Sequence, residues 1–360
     1  MSDKANIAVV GTGWWATTAH IPALIQHPRV GKVVLVDQNL AAAQAAAAKY
    51  NLSYTYTSIA EAKAAHPDLH GAIVAVPHHA HLAAATAVLE QGLQLLLEKP
   101  MTLYTWEAKA LVDLAEQKGL QILMGYTFPY LAPVQQAKRY IDDGLLGNIE
   151  YITCSMSSMT IEFLRGKPEE YAPGFGYPVT GPGKATYSDP TVAGGGQGHL
   201  QVTHSAAMMF YLGESQNLRA KTVVGFMNNL DCKVDVADAI AARMENGAVA
   251  TVGSTGNLGK GDGGLVEVHM HGSKGRVMVD AISGAMHLRL HDGREERLPA
   301  NPPGYPGDVP VARFAELLLD GATPLFPGKT NGLYTVEFLE AAYRSAAQDG
   351  QPVQVADLYQ

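Results

Sequence analysis

The chain has 360 residues, 47% of them hydrophobic and 17% charged, with a formal net charge of −8. That length carries a prior of about two domains, each large enough to bury a core, and that composition excludes wholesale disorder. With 34 acidic against 26 basic residues and no Lys/Arg block, the chain lacks the electrostatic footprint of a nucleic-acid binder.

The first 126 residues alternate strand and helix patterns. Strands are expected at Asn6–Val10, Lys32–Asp37, Gly71–Val76, Leu93–Glu98 and Gln121–Tyr126. Helices are expected between them at Ile21–Gln26, Leu40–Tyr50, Ile59–His66, His81–Gln91 and Thr105–Lys118. The strand runs (IAVV, VVLV, AIVAV) are apolar without alternation, as in strands covered on both faces. Such βα units wind into a parallel sheet with right-handed crossovers. Residues 1–126 are therefore expected to form a Rossmann-like, doubly wound domain.

Beyond Tyr126 the pattern changes. A helix at Val134–Asp143 precedes strands expected at Glu150–Ser155, Lys221–Met227, Ala239–Met244, Ala248–Ser254, Gly264–His271, Arg276–Asp280 and Ala285–His291. Glu245-Asn246-Gly247 and His291-Asp292-Gly293 read as hairpin turns. In GLVEVHMH, Leu265, Glu267, His269 and His271 alternate with Val266, Val268 and Met270. That period is expected of a sheet with one face on helices and the other open to solvent or a second copy. Helices near Pro310–Leu319 and Tyr334–Ala347 close the chain. The expectation for residues 127–360 is an α+β domain with a large, mainly antiparallel open-faced sheet, serving substrate binding and oligomerisation. Its Gly/Pro-rich segment Gly174–Gly198 is too long for an inert connector, and such loops usually carry function.

No apolar run reaches the roughly 20 residues that span a bilayer. Two cysteines, Cys154 and Cys232, are too few for a disulfide scaffold, and MSDKANIAVV enters a strand without an apolar leader. A soluble, cytoplasmic protein with no membrane partner is the expectation.

Gly11-Thr12-Gly13-Trp14-Trp15-Ala16 follows the first strand and opens toward a helix. Gly11 permits the tight turn, Gly13 lets backbone approach a pyrophosphate, and Ala16 keeps the helix close to the sheet. Asp37 ends the second strand at about the 20-residue spacing of an acid that binds both ribose hydroxyls. Gln38 and Asn39 follow it rather than Arg or Lys, so NAD is expected over NADP. Val76-Pro77-His78-His79-Ala80-His81 and Glu98-Lys99-Pro100 end the next strands, and ligands in open α/β sheets sit outside those carboxyl ends. The histidines 78, 79 and 81 share a tight turn with no acidic partner, so no metal is expected.

With Gly194-Gly195-Gly196 and His204, these motifs resemble the glucose–fructose oxidoreductase/inositol dehydrogenase family along essentially the whole chain. The resemblance implies that Lys99 lies between nicotinamide and substrate, that the peptide before Pro100 is cis, and that His81 takes the place of a family histidine. It also implies that His204 handles the proton of the substrate hydroxyl, and that the chain assembles as a homodimer or homotetramer. Two departures stand out. Relatives carry an Asp four residues before that histidine, where this chain has Leu200, and many place an Arg in the stretch Gly125–Tyr130, which has none here. Gln201, three residues before His204, shares its helix face.

Lys99 and His204 are thus the catalytic candidates: a lysine beside a cationic ring has a lowered pKa, and an unperturbed histidine titrates near neutrality. The expected split makes His204 the proton acceptor while Lys99 polarises the hydroxyl. Tyr126, Tyr130, Tyr187, His199 and Gln201 are the sugar-contact candidates, with core packing an equal reading of the tyrosines. Gly11, Thr12, Gly13, Trp14, Trp15, Asp37, Val76, Pro77, His78, His81, Glu98 and Lys99 are the cofactor set. Arg165 and Lys167 read either as contacts to an anionic substituent or as exposed loop charges. The leading expectation is an NAD-dependent dehydrogenase of a sugar or polyol. The alternatives are an NAD-dependent glycoside hydrolase, with an anionic glycoside among its candidate substrates, and a non-catalytic NAD-binding regulator.

Overall fold

The computed structural model describes residues 4–321 and 327–360. The first half runs β1 (Ala5–Val10), α1 (Ile21–Gln26), β2 (Val30–Val36), α2 (Leu40–Tyr50), β3 (Tyr54–Tyr56), α3 (Ile59–Ala65) and β4 (Gly71–Val74). It continues through α4 (His81–Glu90), β5 (Gln94–Leu97), α5 (Thr105–Gln117) and β6 (Ile122–Met124). These strands form one parallel sheet in the order β3-β2-β1-β4-β5-β6. The doubly wound fold read from the apolar runs is therefore present. Chain order reverses between β1 and β4, and that switch point opens a crevice at the carboxyl ends of the strands. Strand β3 has no counterpart among the expected elements: it is three residues long and half exposed, too short to register as a periodic run.

The second half begins with α6 (Ala132–Asp142) and β7 (Ile149–Ser157), then four one-turn helices: α7 (Ile161–Leu164), α8 (Ala172–Phe175), α9 (Ala185–Ser188) and α10 (Pro190–Ala193). Helix α11 (Thr203–Leu212) leads into β8 (Ala220–Asn228), β9 (Ala237–Met244), β10 (Val249–Thr255), β11 (Leu265–Gly272), β12 (Gly275–Asp280), β13 (Ala285–Leu290) and β14 (Glu295–Leu298). After α12 (Val309–Asp320) and α13 (Lys329–Ala346) comes β15 (Val353–Gln354). The nine strands pair as β14-β13-β12-β11-β7-β10-β9-β8-β15. All neighbours are antiparallel except β7 and β10.

One face of this sheet lies on α6, α11 and α13. Every residue of α11 is buried, as expected of a helix that is apolar all round and lies inside a protein. The alternation in β11 holds: Val266, Val268 and Met270 are buried, and Glu267, His269 and His271 face outward half exposed. The chain's end returns to the first sheet, with Val311 and Phe314 of α12 packed in one core with Ile7 and Ile73. Leu333 and Val336 of α13 join the core on the sheet's other face. Among the described residues no helix is long and apolar enough to cross a membrane.

Candidate active site

Beyond β1 the chain turns at Gly11, whose φ of +91° suits glycine and whose added Cβ would stand 2.5 Å from the Ala75 carbonyl oxygen. A Cβ on Gly13 would meet nothing within 4 Å, so this turn leaves its backbone open to a ligand. Asp37 is tied to the same turn: its Oδ2 accepts from the Thr12 amide at 2.9 Å and the Thr12 hydroxyl at 2.8 Å. Its Oδ1 accepts from the Asn39 amide at 2.9 Å. An open glycine backbone before a helix, with a half-exposed carboxylate beside it, fits a dinucleotide's pyrophosphate and ribose. Gly11, Thr12, Gly13 and Asp37 would hold those groups.

The turn passes into a π-helical segment, Ala16–His20, ahead of α1. There Trp15 Nε1 donates to Glu98 Oε1 at 2.9 Å, and His20 Nε2 lies 2.9 Å from the same oxygen. Glu98 Oε2 accepts from the Lys99 amide at 3.1 Å. Burial opposes ionisation of Glu98, yet the bond and charge of His20, the charge of Lys99 and the Trp15 bond outweigh it and hold the carboxyl below its ordinary range. His81 binds the strand ends together, Nδ1 to Pro100 O at 2.7 Å and Nε2 to Val76 O at 3.0 Å. The Lys99–Pro100 peptide is cis.

Lys99 reaches across to the other half of the molecule. Its Nζ donates to the Leu200 carbonyl at 2.9 Å, within a second π-helical segment, Gly198–Val202. Among the described residues no carboxylate pairs directly with this ammonium, and burial lowers its pKa to about 8 against the upward pull of Glu98. His204, on the first turn of α11, packs edgewise on Phe128 and Tyr126. Burial first, and the Lys99 charge second, push its pKa well below the ordinary histidine value. The expected order of basicity is thereby reversed: Lys99, not His204, titrates near the physiological range.

A cavity of about 610 Å³ joins these groups. Gly13, Trp14, Trp15, Val76, Pro77, His78, His81, Glu98, Lys99, Tyr187, Gln201 and His204 all line it. Three sugar-contact candidates are corrected, because Tyr126, Tyr130 and His199 lie outside that wall. Tyr126 is fully buried with its hydroxyl on Thr203, Tyr130 is enclosed, and His199 is stacked on Tyr343 with centroids 4.6 Å apart. Arg165 also stays away from the cavity, paired with Glu162 and Asp231.

The Gly/Pro-rich segment folds back over the turn. Trp14 Nε1 donates to the Tyr187 hydroxyl at 3.0 Å, and the Trp14 ring contacts Phe163, Phe175 and Tyr177. Below it, His78 Nδ1 lies 3.0 Å from Ala193 O. Sequence reasoning missed this aromatic strap and the role of His20. It also missed the cavity's apolar lining of Met156, Met159, Val266 and Ile282; only Met156 and Val266 leave a sequence trace, the inward phase of β7 and β11.

The switch-point crevice, the open glycine turn and the acid at the end of β2 define a dinucleotide-binding fold. Residues 5–126 match the family described as "Oxidoreductase family, NAD-binding Rossmann fold". The match covers about a third of the chain, the segment that carries the first sheet and the glycine turn. An oxidoreductase of Synechocystis is 32% identical over 151 residues, 42% of this chain and 40% of that protein. The D-glucoside 3-dehydrogenase of Escherichia coli is 28% identical over 153 residues, 42% of this chain and 43% of that protein. The chain thus matches about two fifths of the length of these curated relatives. The fold similarity runs further: levoglucosan dehydrogenase, solved with NADH and levoglucosan, superposes with a TM-score of 0.75 at 18% identity, covering 98% of this chain and 99% of that one.

Proposed function

We propose that this protein is an NAD-dependent oxidoreductase acting at a hydroxyl-bearing carbon of a sugar or polyol. The observation that carries the reading is the convergence of Lys99, His204 and the open glycine turn on one cavity. When bound, the nicotinamide accepts two electrons and one proton, as hydride, from the carbinol carbon, and the carbinol becomes a ketone. The hydroxyl proton needs an acceptor, and Lys99, with a pKa of about 8, is the stronger base of the two candidates. His204, held neutral by burial, accepts or donates a hydrogen bond to the same hydroxyl and orients it. Glu98 fixes the backbone of Lys99 and supplies the negative charge that keeps its ammonium from losing its proton lower still. The names of the glucoside and levoglucosan dehydrogenases support a carbohydrate substrate.

The strap on Trp14 favours a second reading. A strap of Tyr187, Phe175 and Tyr177 on the Trp14 side chain favours retention of the dinucleotide at this turn, and a retained dinucleotide suits a redox-neutral cycle. In that cycle a ring hydroxyl is oxidised, the adjacent C–H becomes acidic, the aglycone is eliminated, water adds, and the ketone is reduced again. The outward face of the second sheet, with Tyr151 and Val249 exposed, supports self-association as a homodimer or homotetramer.

One assay separates the two chemistries: protein and NAD with a panel of free sugars and chromogenic glycosides, following nicotinamide absorbance and aglycone together. Stoichiometric NADH with an intact aglycone supports the dehydrogenase. Aglycone release without NADH, lost when the dinucleotide is stripped, supports the hydrolase. Neither signal across the panel rejects both.

A further inference from the structure

The cavity lining is of two chemical kinds, and they differ in what they leave for a ligand. One is polar and includes Lys99, His204 and Gln201. The other is apolar: Met156 and Val266 are register partners across β7 and β11, and Met159 and Ile282 are half exposed. Two of the polar side chains that line the cavity with them are already engaged. Thr160 Oγ1 donates to Gln197 Oε1 at 2.8 Å, and Ser158 Oγ accepts from Gln197 Nε2 at 3.1 Å. Among the described residues that line the cavity, Lys99 is the only lysine and no arginine is present, and Glu98 is occupied by Trp15 and His20. Asp262 accepts from the Gly264 amide at 2.9 Å on an exposed turn.

A free sugar presents hydroxyls on every side, and a site built for it would answer with polar groups on every side, since polar groups left unpaired on burial are costly. An anionic substituent would need a cation away from Lys99, and the wall has none. Methionines, unbranched and polarisable, accommodate apolar groups of varied shape.

Building on the oxidoreductase reading, we infer that the substrate is an uncharged glycoside whose sugar ring meets Lys99 and His204 while an apolar aglycone rests on Met156, Met159, Val266 and Ile282. Half-buried Met159 and Ile282 form the part of the wall an aglycone reaches first.

The test uses the full chain saturated with NAD. Binding is read from the fluorescence of Trp14 and Trp15, and turnover from NADH or aglycone. The probes are free glucose, galactose and N-acetylglucosamine, their methyl, propyl and butyl glycosides in both anomers, and glucuronic acid. Affinity is expected to rise about three- to fourfold per methylene from methyl to butyl on at least one sugar. Met159→Gln and Ile282→Thr, each made singly so that one folding failure leaves the other, are expected to flatten that slope. NADH or aglycone formed without any chain-length dependence overturns the inference and leaves the oxidoreductase reading standing. A chain-length slope in binding without turnover of any glycoside keeps the apolar subsite and removes the oxidoreductase reading. Tighter binding of glucuronic acid than of glucose, or no binding by any member of the series, overturns the inference.

Discussion

The Lys99 ammonium donates to the Leu200 carbonyl at 2.9 Å, so a strand end of the first sheet is tied to a π-helical turn in the second half of the chain. A π turn shifts backbone bonding from i+4 to i+5 and leaves carbonyls for other donors, and such turns recur at functional sites. A neutral backbone oxygen, rather than a carboxylate, meets the lysine there. An uncharged partner does less than a carboxylate to keep an ammonium charged, in keeping with a pKa of about 8.

That value sets the pH response. Turnover is expected to rise with pH to a plateau, with a midpoint near 8, because only the neutral amine accepts the substrate proton. Lys99→Met is expected to lower kcat/KM by about 10²–10⁴-fold across the whole range. The stability effect has the opposite sign. Between about 8 and the ordinary lysine value of 10.5 the unfolded chain binds a proton that the folded chain does not, so this group's contribution rises with pH there. Below that window Lys99 costs stability, and Lys99→Met is expected to raise Tm at neutral pH. A pH–rate series and a thermal melt of the two proteins check both.

Glu98 raises the Lys99 pKa by its charge, and this makes a separate, signed expectation. Glu98→Gln keeps an oxygen for the Trp15 indole and removes the charge. The midpoint of the pH–rate profile is then expected to fall below that of the parent. Selective ¹³C-labelling of lysine and NMR titration of the apoprotein reads the same shift without turnover. An unchanged midpoint would mean that Glu98 only props up the backbone.

Much of this architecture was legible in the sequence, and what was not has physical causes. Uninterrupted apolar runs such as IAVV announced strands covered on both faces, and the turn GTGWWA with Asp37 announced the dinucleotide crevice. Strand β3 was silent because three half-exposed residues carry no period. The partner of Lys99 was illegible because it is a backbone oxygen in an irregular turn, which no side-chain pattern encodes. Tyr126 and His199 misled because a polar tip on an aromatic body suits a sugar site and a satisfied core equally well; burial against Thr203 and Tyr343 decided for the core. His20 was passed over because it falls between the glycine turn and the expected helix Ile21–Gln26, and its partner Glu98 lies 78 positions away.

The carboxylate of Asp37 governs the choice of dinucleotide. It is anchored by Thr12 and would repel a 2′-phosphate. Asp37→Ala is expected to weaken NAD⁺ binding about tenfold while NADP⁺ binding holds or improves. Paired fluorescence titrations with the two dinucleotides measure the ratio. Equal losses for both would deny Asp37 a role in discrimination.

Tyr187→Phe deletes the acceptor of the Trp14 indole and leaves the aromatic cage in place. One hydrogen bond of ordinary strength contributes about 1 kcal/mol. If the strap retains the dinucleotide, its dissociation rate is expected to rise about fivefold, read by stopped-flow displacement with an analogue of different fluorescence. The same variant should leave thermal stability nearly unchanged, because the ring still packs on Phe163. An unaltered dissociation rate would make the strap a packing feature alone, and would remove the structural support for the redox-neutral reading.

Behind the turn that carries Gln201 and His204 lies a carboxyl pair. Asp235 accepts from the Gly196 and Gly198 amides, each at 2.7 Å, and from the Tyr343 hydroxyl at 2.8 Å. Asp238 is buried beside it, and burial first, then the neighbouring Asp235, push its pKa well above 3.8. A carboxyl whose folded pKa is raised contributes its full stability below the unfolded value and loses it as pH rises. At neutral pH Asp238 therefore costs stability, whereas a neutral amide of the same shape would not. Asp238→Asn is expected to raise Tm at neutral pH by a few degrees, with a gain that shrinks toward pH 4 as the parent carboxyl becomes protonated in both states. Asp235→Asn should act in the other direction, because its amide cannot accept all three donors that Asp235 satisfies and leaves buried backbone amides unpaired. Melts of both variants from pH 4 to 8 separate the two carboxyls. Equal behaviour of the pair would overturn the assignment of one as the anchor of the turn and the other as its buried neighbour with a raised pKa.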